Sequence, residues 1–416
     1  MKTSFRAALF AALWSTAALA AAPELKYVVI VTRHGVRSPT WDAARLNRYS
    51  AQPWPDWGVP PGDLTPHGRE LIKLLGNYYR SWFAKEHLLH GRGCSDKGRI
   101  YIWADSDQRT LETGRAFAES LLPGCGLAIH SRPDRETDPL FSGVKSADPV
   151  RAAEAVRERL GSDPQALLAE HRAALDTLQF ILTGGQPAAK KLIEPPERIA
   201  PVAEGRTIEL QGPFTPASTL SEDLLLEYAE RMQGSRLGWG RLTKDNLYSI
   251  LELHRVYADV MRRTPYLAAE RGSNLLAHVL ASLAQAVSGT PAPGALGPPG
   301  SALVILSGHD TNLSNLSGML NLSWNLHGYQ PDETPPGGAL IFSLWRDPAS
   351  GHMSVQARYL AATLDQMRSA DAFTLAHPPP SQALSLPGCP ATCSWQDFER
   401  AARRAIHPSQ IDFDLH

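Results

Sequence analysis

The sequence predicts an α/β fold in which a mixed sheet is flanked by helices and a smaller all-α cap is inserted between its strands. Three observations carry this. The β-branched run Val28-Val29-Ile30-Val31-Thr32 stops abruptly at Arg33-His34-Gly35-Val36-Arg37, which reads as a buried strand feeding a polar loop. The plan recurs where Leu303-Val304-Ile305-Leu306 runs into Gly308-His309-Asp310, and where Ile100-Tyr101-Ile102-Trp103 runs into Asp105-Ser106-Asp107-Gln108-Arg109. Between these strands, from about residue 148 to 288, the pattern is almost wholly helical, as expected of a lobe covering a site on the sheet. In open α/β sheets ligands sit outside the carboxyl ends of the strands, so three strand ends rich in charge mark where chemistry belongs. Guanidiniums placed there suit a phosphate.

From its start the chain reads as follows. Lys2 and Arg6 precede an apolar, Ala-rich run with small residues up to Ala22, so residues 1–22 are expected to be a signal peptide and the remainder an exported protein. No later stretch is long and apolar enough to span a membrane, and no cysteine precedes Cys94 to carry a lipid. The 416 residues exceed what one core usually organises, which predicts an α/β lobe from residues 23–147 and 266–416 and a helical cap from 148–265. A formal net charge of −1 argues against a nucleic-acid partner. A monomer acting on a small molecule is expected.

Thr65-Pro66 supplies a cap and a first-turn proline for a helix whose Leu71, Leu74, Leu75, Tyr78 and Trp82 form a core-facing stripe. Trp41, Trp54 and Trp57 lie in an irregular stretch beside the first motif, where they either line a substrate mouth or pin a loop. Within the helical block, Asp163-Pro164, Thr219 or Ser221, and Thr243-Lys244-Asp245 read as helix starts, and Arg206-Thr207-Ile208-Glu209-Leu210 as the one short strand. Residues 290–300 are too rich in proline and glycine for regular structure and read as an exposed loop. Residues 338–345 and 353–360 alternate like strands, and 394–406 reads as a closing helix. Four cysteines in an exported chain suggest two disulfides among three connectivities, and zinc is disfavoured because neither close pair has a nearby histidine. His67, His87 and His90 read as surface residues, since nothing groups them with carboxylates at metal-ligand spacing.

Arg33-His34-Gly35-Val36-Arg37-Ser38-Pro39 with a distant His309-Asp310 resembles the histidine acid phosphatases, the second branch of the histidine phosphatases, which includes bacterial periplasmic phytases and glucose-1-phosphatases. The similarity extends to Leu64-Thr65-Pro66-His67-Gly68, Asp138-Pro139-Leu140-Phe141, Gly238-Trp239-Gly240, Arg263-Thr264-Pro265 and Thr334-Pro335-Pro336-Gly337-Gly338. It implies a phosphoglycerate-mutase-like fold, a periplasmic location, and phosphate-monoester hydrolysis without metal or other cofactor. It also supports pairing Cys94 with Cys125 and Cys389 with Cys393.

Such hydrolysis needs a nucleophile, cations for the phosphoryl oxygens and a proton for the leaving alkoxide. Arg33, Arg37 and Arg109 offer planar forks to phosphate, and their field keeps His34 from protonating. The residues alone leave open which histidine attacks, because His309 beside Asp310 also suits a base held by a carboxylate. The resemblance implies His34 as nucleophile forming a phosphohistidine, His309 as a phosphate ligand and Asp310 as proton donor. By the same resemblance Thr40, Trp41, Asp105, Glu222, His254 and Arg271 border the substrate. Nearby arginines and a helix start lower the pKa of Asp310, while burial and bound phosphate raise it, so the rate is expected to peak at acid pH. Many enteric phytases carry a lysine where this chain has Trp41, whose apolar area would favour an aryl or sugar leaving group. The expected activity is that of a phytase, the alternative a glucose-1-phosphatase or a broad sugar and aryl phosphate monoesterase.

Overall fold

The structure, a computed structural model, describes residues 22–133, 136–161, 163–201, 208–386, 388–389 and 393–414. The expected signal peptide, apart from Ala22, lies outside them. The first part of the chain contains β1 (Glu24–Arg33), α1 (Ala43–Leu46), α2 (Pro66–Lys85), β2 (Ile100–Ala104) and α3 (Gln108–Leu121). The helical block follows with α4 (Pro139–Ser142), α5 (Pro149–Leu160), α6 (Pro164–Glu170), α7 (Arg172–Thr183), β3 (Arg198–Pro201), β4 (Ile208–Gln211), α8 (Phe214–Ala229), α9 (Lys244–Met261) and α10 (Pro265–Ser288). The chain then returns as β5 (Leu303–Gly308), α11 (Asp310–Met319), β6 (Ala339–Arg346), β7 (Met353–Leu360), α12 (Leu364–Ser369), β8 (Ser381–Leu384), β9 (Cys393–Ser394) and α13 (Trp395–Ala405).

The sheet runs β2-β5-β1-β6-β7-β8, with β9 beside β7. Parallel pairing of β2 and β1 with β5 accounts for their continuous apolar runs, since a strand with helices on both faces needs no polar side. β5 is buried along its whole length. From β6 onward the pairing is antiparallel, which makes the sheet mixed, as expected. Helix α3 packs on β2 and β5, α10 and α11 pack on β1, and α13 packs on β7. The register sets Arg33 opposite Gly308 and Ala104 opposite Ser307. Backbone bonds then continue past the strands, from His34 N to Gly308 O (2.9 Å) and from Asp105 N to Ser307 O (3.0 Å). Three chemically rich loops therefore leave the sheet side by side.

Helix α2 butts directly against the first of these loops. Thr65 caps it, its side chain accepting from Gly68 N at 2.9 Å, and Pro66 fills the first turn. A side chain at Gly68 would overlap the Val36 carbonyl, and a Cβ at Gly35 would sit 2.8 Å from the Gly68 carbonyl oxygen. Both glycines are needed for that close approach.

Three local expectations are corrected. Thr219 and Ser221 do not start a helix but lie inside α8, which begins at Phe214; Pro216 sits in the first turn, where no helical donor is lost. The described part of the strand expected at residues 206–210 is found within β4 (Ile208–Gln211), which runs one residue further and pairs with β3, a strand the pattern had not suggested; Arg206 and Thr207 lie outside the described residues. His67 is a brace and not a surface residue, its Nε2 lying 3.1 Å from Ala229 O and 2.9 Å from Met367 O. Both expected disulfides are present, Cys94–Cys125 and Cys389–Cys393.

Candidate active site

Arg33 is 1% exposed and held at both terminal nitrogens: one donates to Thr334 O at 2.6 Å, and the other pairs with Glu222 on α8. Glu222 also takes Arg37 at 3.3 Å. Burial alone would raise the Glu222 carboxyl, but the two guanidiniums prevail and hold it at about 2. A carboxylate from the helical block thus fixes both arginines of the first motif.

His34 lies between them, 2% exposed. Its Nδ1 is 2.8 Å from the Gly35 carbonyl oxygen, which can only accept, so Nδ1 carries the hydrogen and Nε2 keeps its lone pair. Burial, and then Arg109, Arg33 and Arg37, hold this imidazole well below the usual histidine range. The neutral form of the ring is favoured.

His309 faces His34 edge to face, with 5.6 Å between centroids. Its Nε2 is 2.7 Å from Asp105, at the end of β2, and its Nδ1 is 3.5 Å from an Arg109 nitrogen. Arg109, from the first turn of α3, is anchored by Asp107 at 2.6 Å. Asp105, Asp107 and Arg109 line a cavity of about 930 Å³ that also reaches Gly62 and Asp138. Thr40 lies exposed at the rim, where it and Arg109 flank Gly62.

Asp310 opens α11 and is 9% exposed. It pairs with Arg262, and His254 Nε2 is 3.5 Å away, within ion-pair range. His254 is held on its other side by Glu333, with Nδ1 2.8 Å from Oε1. Burial would make His254 neutral, yet Glu333 and Asp310 outweigh it and raise the imidazole to about 9. Burial would likewise raise Asp310, but Arg262, Arg33 and His254 hold its carboxyl well below the usual range. The expected balance of opposing effects on this acid therefore tips firmly toward ionisation.

The structure brings Arg33, His34, Arg37, Arg109, Asp105, Glu222, His254, His309 and Asp310 into one site. Arg271 lies beside it on α10, lining a second cavity. Trp41 is different. Arg45 lies over its ring at 3.7 Å and Tyr49 stacks at 5.8 Å, so protein groups already contact the half-buried ring that was expected to meet a leaving group. Trp54, edge-on to Trp239, is likewise packed within the protein. Residues missed from sequence are Arg262, Glu333 and Asp107. Arg262 was visible only as one of two arginines before Thr264-Pro265, with nothing to show which faces the site. Two groups of three carboxylate and imidazole side chains occur among the described residues, Asp105-Asp107-His309 and Glu222-His254-Asp310. Guanidiniums already neutralise both, so a cation would have to displace an arginine.

The sequence pattern of the histidine phosphatase superfamily (branch 2) matches residues 24–182 and 213–360. The chain belongs to that family. The phosphatase is 34% identical to phytase AppA of Escherichia coli over 409 residues, covering 93% of this chain and 94% of the relative. It is 28% identical to a glucose-1-phosphatase of Salmonella typhimurium over 383 residues, covering 88% of each. The structure of Hafnia alvei phytase in complex with myo-inositol hexakis sulphate superposes with a TM-score of 0.85 at 35% identity, covering 94% of this chain and 99% of that one. The phosphatase is a phosphoric monoester hydrolase, and no helix among its described residues is long and apolar enough to cross a membrane.

Proposed function

We infer that this phosphatase is a phytase-type acid phosphatase, exported to the periplasm and active as a monomer, that hydrolyses inositol polyphosphates through a phosphohistidine. The observation that carries the reading is His34: buried among three arginines, held neutral, and fixed by the Gly35 carbonyl with Nε2 free. Arg33, Arg37, Arg109 and His309 hold the phosphoryl oxygens, and His34 Nε2 attacks phosphorus as the ester bond breaks. Asp310 gives its proton to the leaving oxygen, and water later releases the phosphate from His34. Residues 148–265 act as the cap, since α8 and α9 supply Glu222 and His254 from above the sheet. Export through residues 1–22 fits the two disulfides, which persist in oxidising compartments. Support for an inositol polyphosphate comes from the hexakis sulphate held by the Hafnia alvei relative and from the cations Arg262, Arg271 and Lys145 near the acid.

Rapid acid quench with labelled substrate tests the reading. Phosphate is trapped on the wild-type protein and not on His34→Ala, and trapping by the variant refutes it. Asp310→Asn slows alcohol esters by roughly 10²–10⁴-fold, the range for a positioned acid. Assaying inositol hexakisphosphate, glucose 1-phosphate and an aryl phosphate side by side separates a phytase from the glucose-1-phosphatase alternative.

A further inference from the structure

Asp310 can act as an acid only if the ion pairs around it loosen. Cations crowd it and favour its charged form: His254 from α9, Arg262 at the end of that helix, Arg33 from β1 and Arg109 from α3. The carboxylates facing the same space are Glu222 from α8 and Glu333 from the loop before β6, and each is already committed, to Arg33 and Arg37 or to His254. Of the cations, Arg33 is locked by Thr334 and Glu222, Arg109 is anchored by Asp107, and His254 is buried at 2% exposure.

Arg262 is the one that can leave. It caps the end of α9, its side chain is 16% exposed, and beside its pair with Asp310 its guanidinium has a Tyr257 ring 5.7 Å away. Next to it lies Arg271, whose guanidinium makes no hydrogen bond or ion pair with another described residue. Burial and repulsion by Arg262 both work against its charge. Arg271 lines a cavity of about 510 Å³ together with Lys145, Phe141, Asn315 and Thr311, the residue after Asp310. A cavity carrying two cations without a carboxylate in its wall, bordering an acid that is clamped by a third cation, is built for an anion.

We propose that Arg262 is a substrate-responsive clamp: a second anionic group on the leaving portion of the ester, seated between Arg262 and Arg271, draws the guanidinium off Asp310 and frees the carboxyl to take up the proton it delivers. This deepens the reading of Asp310 as the acid and rests on it. The proton enters from solvent onto the freed carboxylate and passes to the leaving oxygen as the phosphorus–oxygen bond breaks, so charge and protons balance. Esters with a phosphate next to the scissile one turn on their own acid, and plain monophosphates do not. Arg262 is then a positioning and specificity residue.

The test compares kcat/KM against pH for myo-inositol hexakisphosphate and glycerol 2-phosphate, both with alcohol leaving groups, in wild type, Arg262→Gln and Arg262→Lys. In Arg262→Gln the alkaline limit for glycerol 2-phosphate moves up by about one pH unit or more, as expected on removing an opposite charge in contact. The ratio of hexakisphosphate to glycerol phosphate specificity constants falls by about tenfold, the scale of one charged hydrogen bond. Arg262→Lys keeps the charge without the fork and lies between the two; should Arg262→Gln not fold by its thermal melt, a smaller change of the same sign in Arg262→Lys carries the test. An unmoved limit with an unmoved ratio overturns the proposal, and so does an equal loss on both substrates at every pH, which would make Arg262 an ordinary support. If Asp310→Asn leaves myo-inositol hexakisphosphate turnover intact, the acid assignment itself has failed, whatever Arg262 does.

Discussion

Two histidines in this site are both 2% exposed, yet they stand in opposite electrical surroundings. His34 sits among Arg33, Arg37 and Arg109, and its imidazole is kept free of a second proton. His254 sits among Glu333, Asp310 and Glu222, and its imidazole keeps a second proton up to about pH 9. Burial disfavours the charged form of both, so the neighbours alone decide that one is held toward its neutral form and the other toward its charged form. The difference divides the site between two parts of the chain. The strand ends set His34 in a positive cradle, while α8 and α9 bring Glu222 and His254 toward Asp310.

The strongest way to break this contrast is from the His34 side. Arg109→Gln removes a phosphate ligand and a like charge together, so kcat/KM should fall by roughly 10²–10³-fold, as for a lost transition-state donor. Its acid limb should also move to higher pH, because an imidazole with fewer cations around it protonates more readily; an unmoved limb in a pH–rate series would show that Arg109 does not act on His34.

From the other side, Glu333→Gln should lower the His254 titration by about 1–3 units, read from its ring-proton shifts across pH. The folded-state pKa lies above the unfolded value, so the stability from this pair is complete below about pH 6.5 and is lost as pH rises through about 9. Denaturant melts of the variant at pH 6 and pH 9 should therefore differ less than those of the wild type.

A third test uses the back of α8. Asp223 and Glu227 are buried without a hydrogen-bonded cation, and burial raises them to about 7 and about 8. Arg37 approaches Asp223 only to 3.7 Å. Folding therefore binds protons, and stability from these groups is full below about pH 4 and is lost as pH rises through 7 to 8. Asp223→Asn should leave the melt at pH 4 nearly unchanged and stabilise the protein by about 1–3 kcal/mol at pH 8. Equal effects at both pH values would mean that Asp223 titrates normally.

The smallest effect is expected at Trp41. Since Arg45 and Tyr49 already occupy its ring, Trp41→Lys should change the ratio of hexakisphosphate to aryl phosphate specificity constants by less than about threefold, the scale of one exposed charge. A larger rise at low salt would place that side chain in the substrate path.

What was legible in the sequence follows the range of the forces involved. β1, β2 and β5 could be read because a strand covered on both faces must be continuously apolar, and their sudden ends exposed the motif residues. β7 was placed to the residue by its alternation. The start of α8 was not, since a first-turn proline looks like a break. Arg262 and Glu333 were invisible for another reason. Each matters only through a partner far along the chain, Asp310 for one and His254 for the other, and no local period records such a meeting. The partner of Trp41 was in view, with Arg45 four residues on, but spacing alone does not say that a ring and a guanidinium will stack.

β5 lies between β1 and β2, which are not paired with one another, and among the described residues it is the only strand joined to both. Ribosomes make it last of the three. Until residues past 308 have emerged, the two early strands have nothing to join them, and the histidine at position 34 has neither its facing ring nor its acid. The strand that joins β1 to β2 is thus also the one that brings His309 and Asp310 to His34.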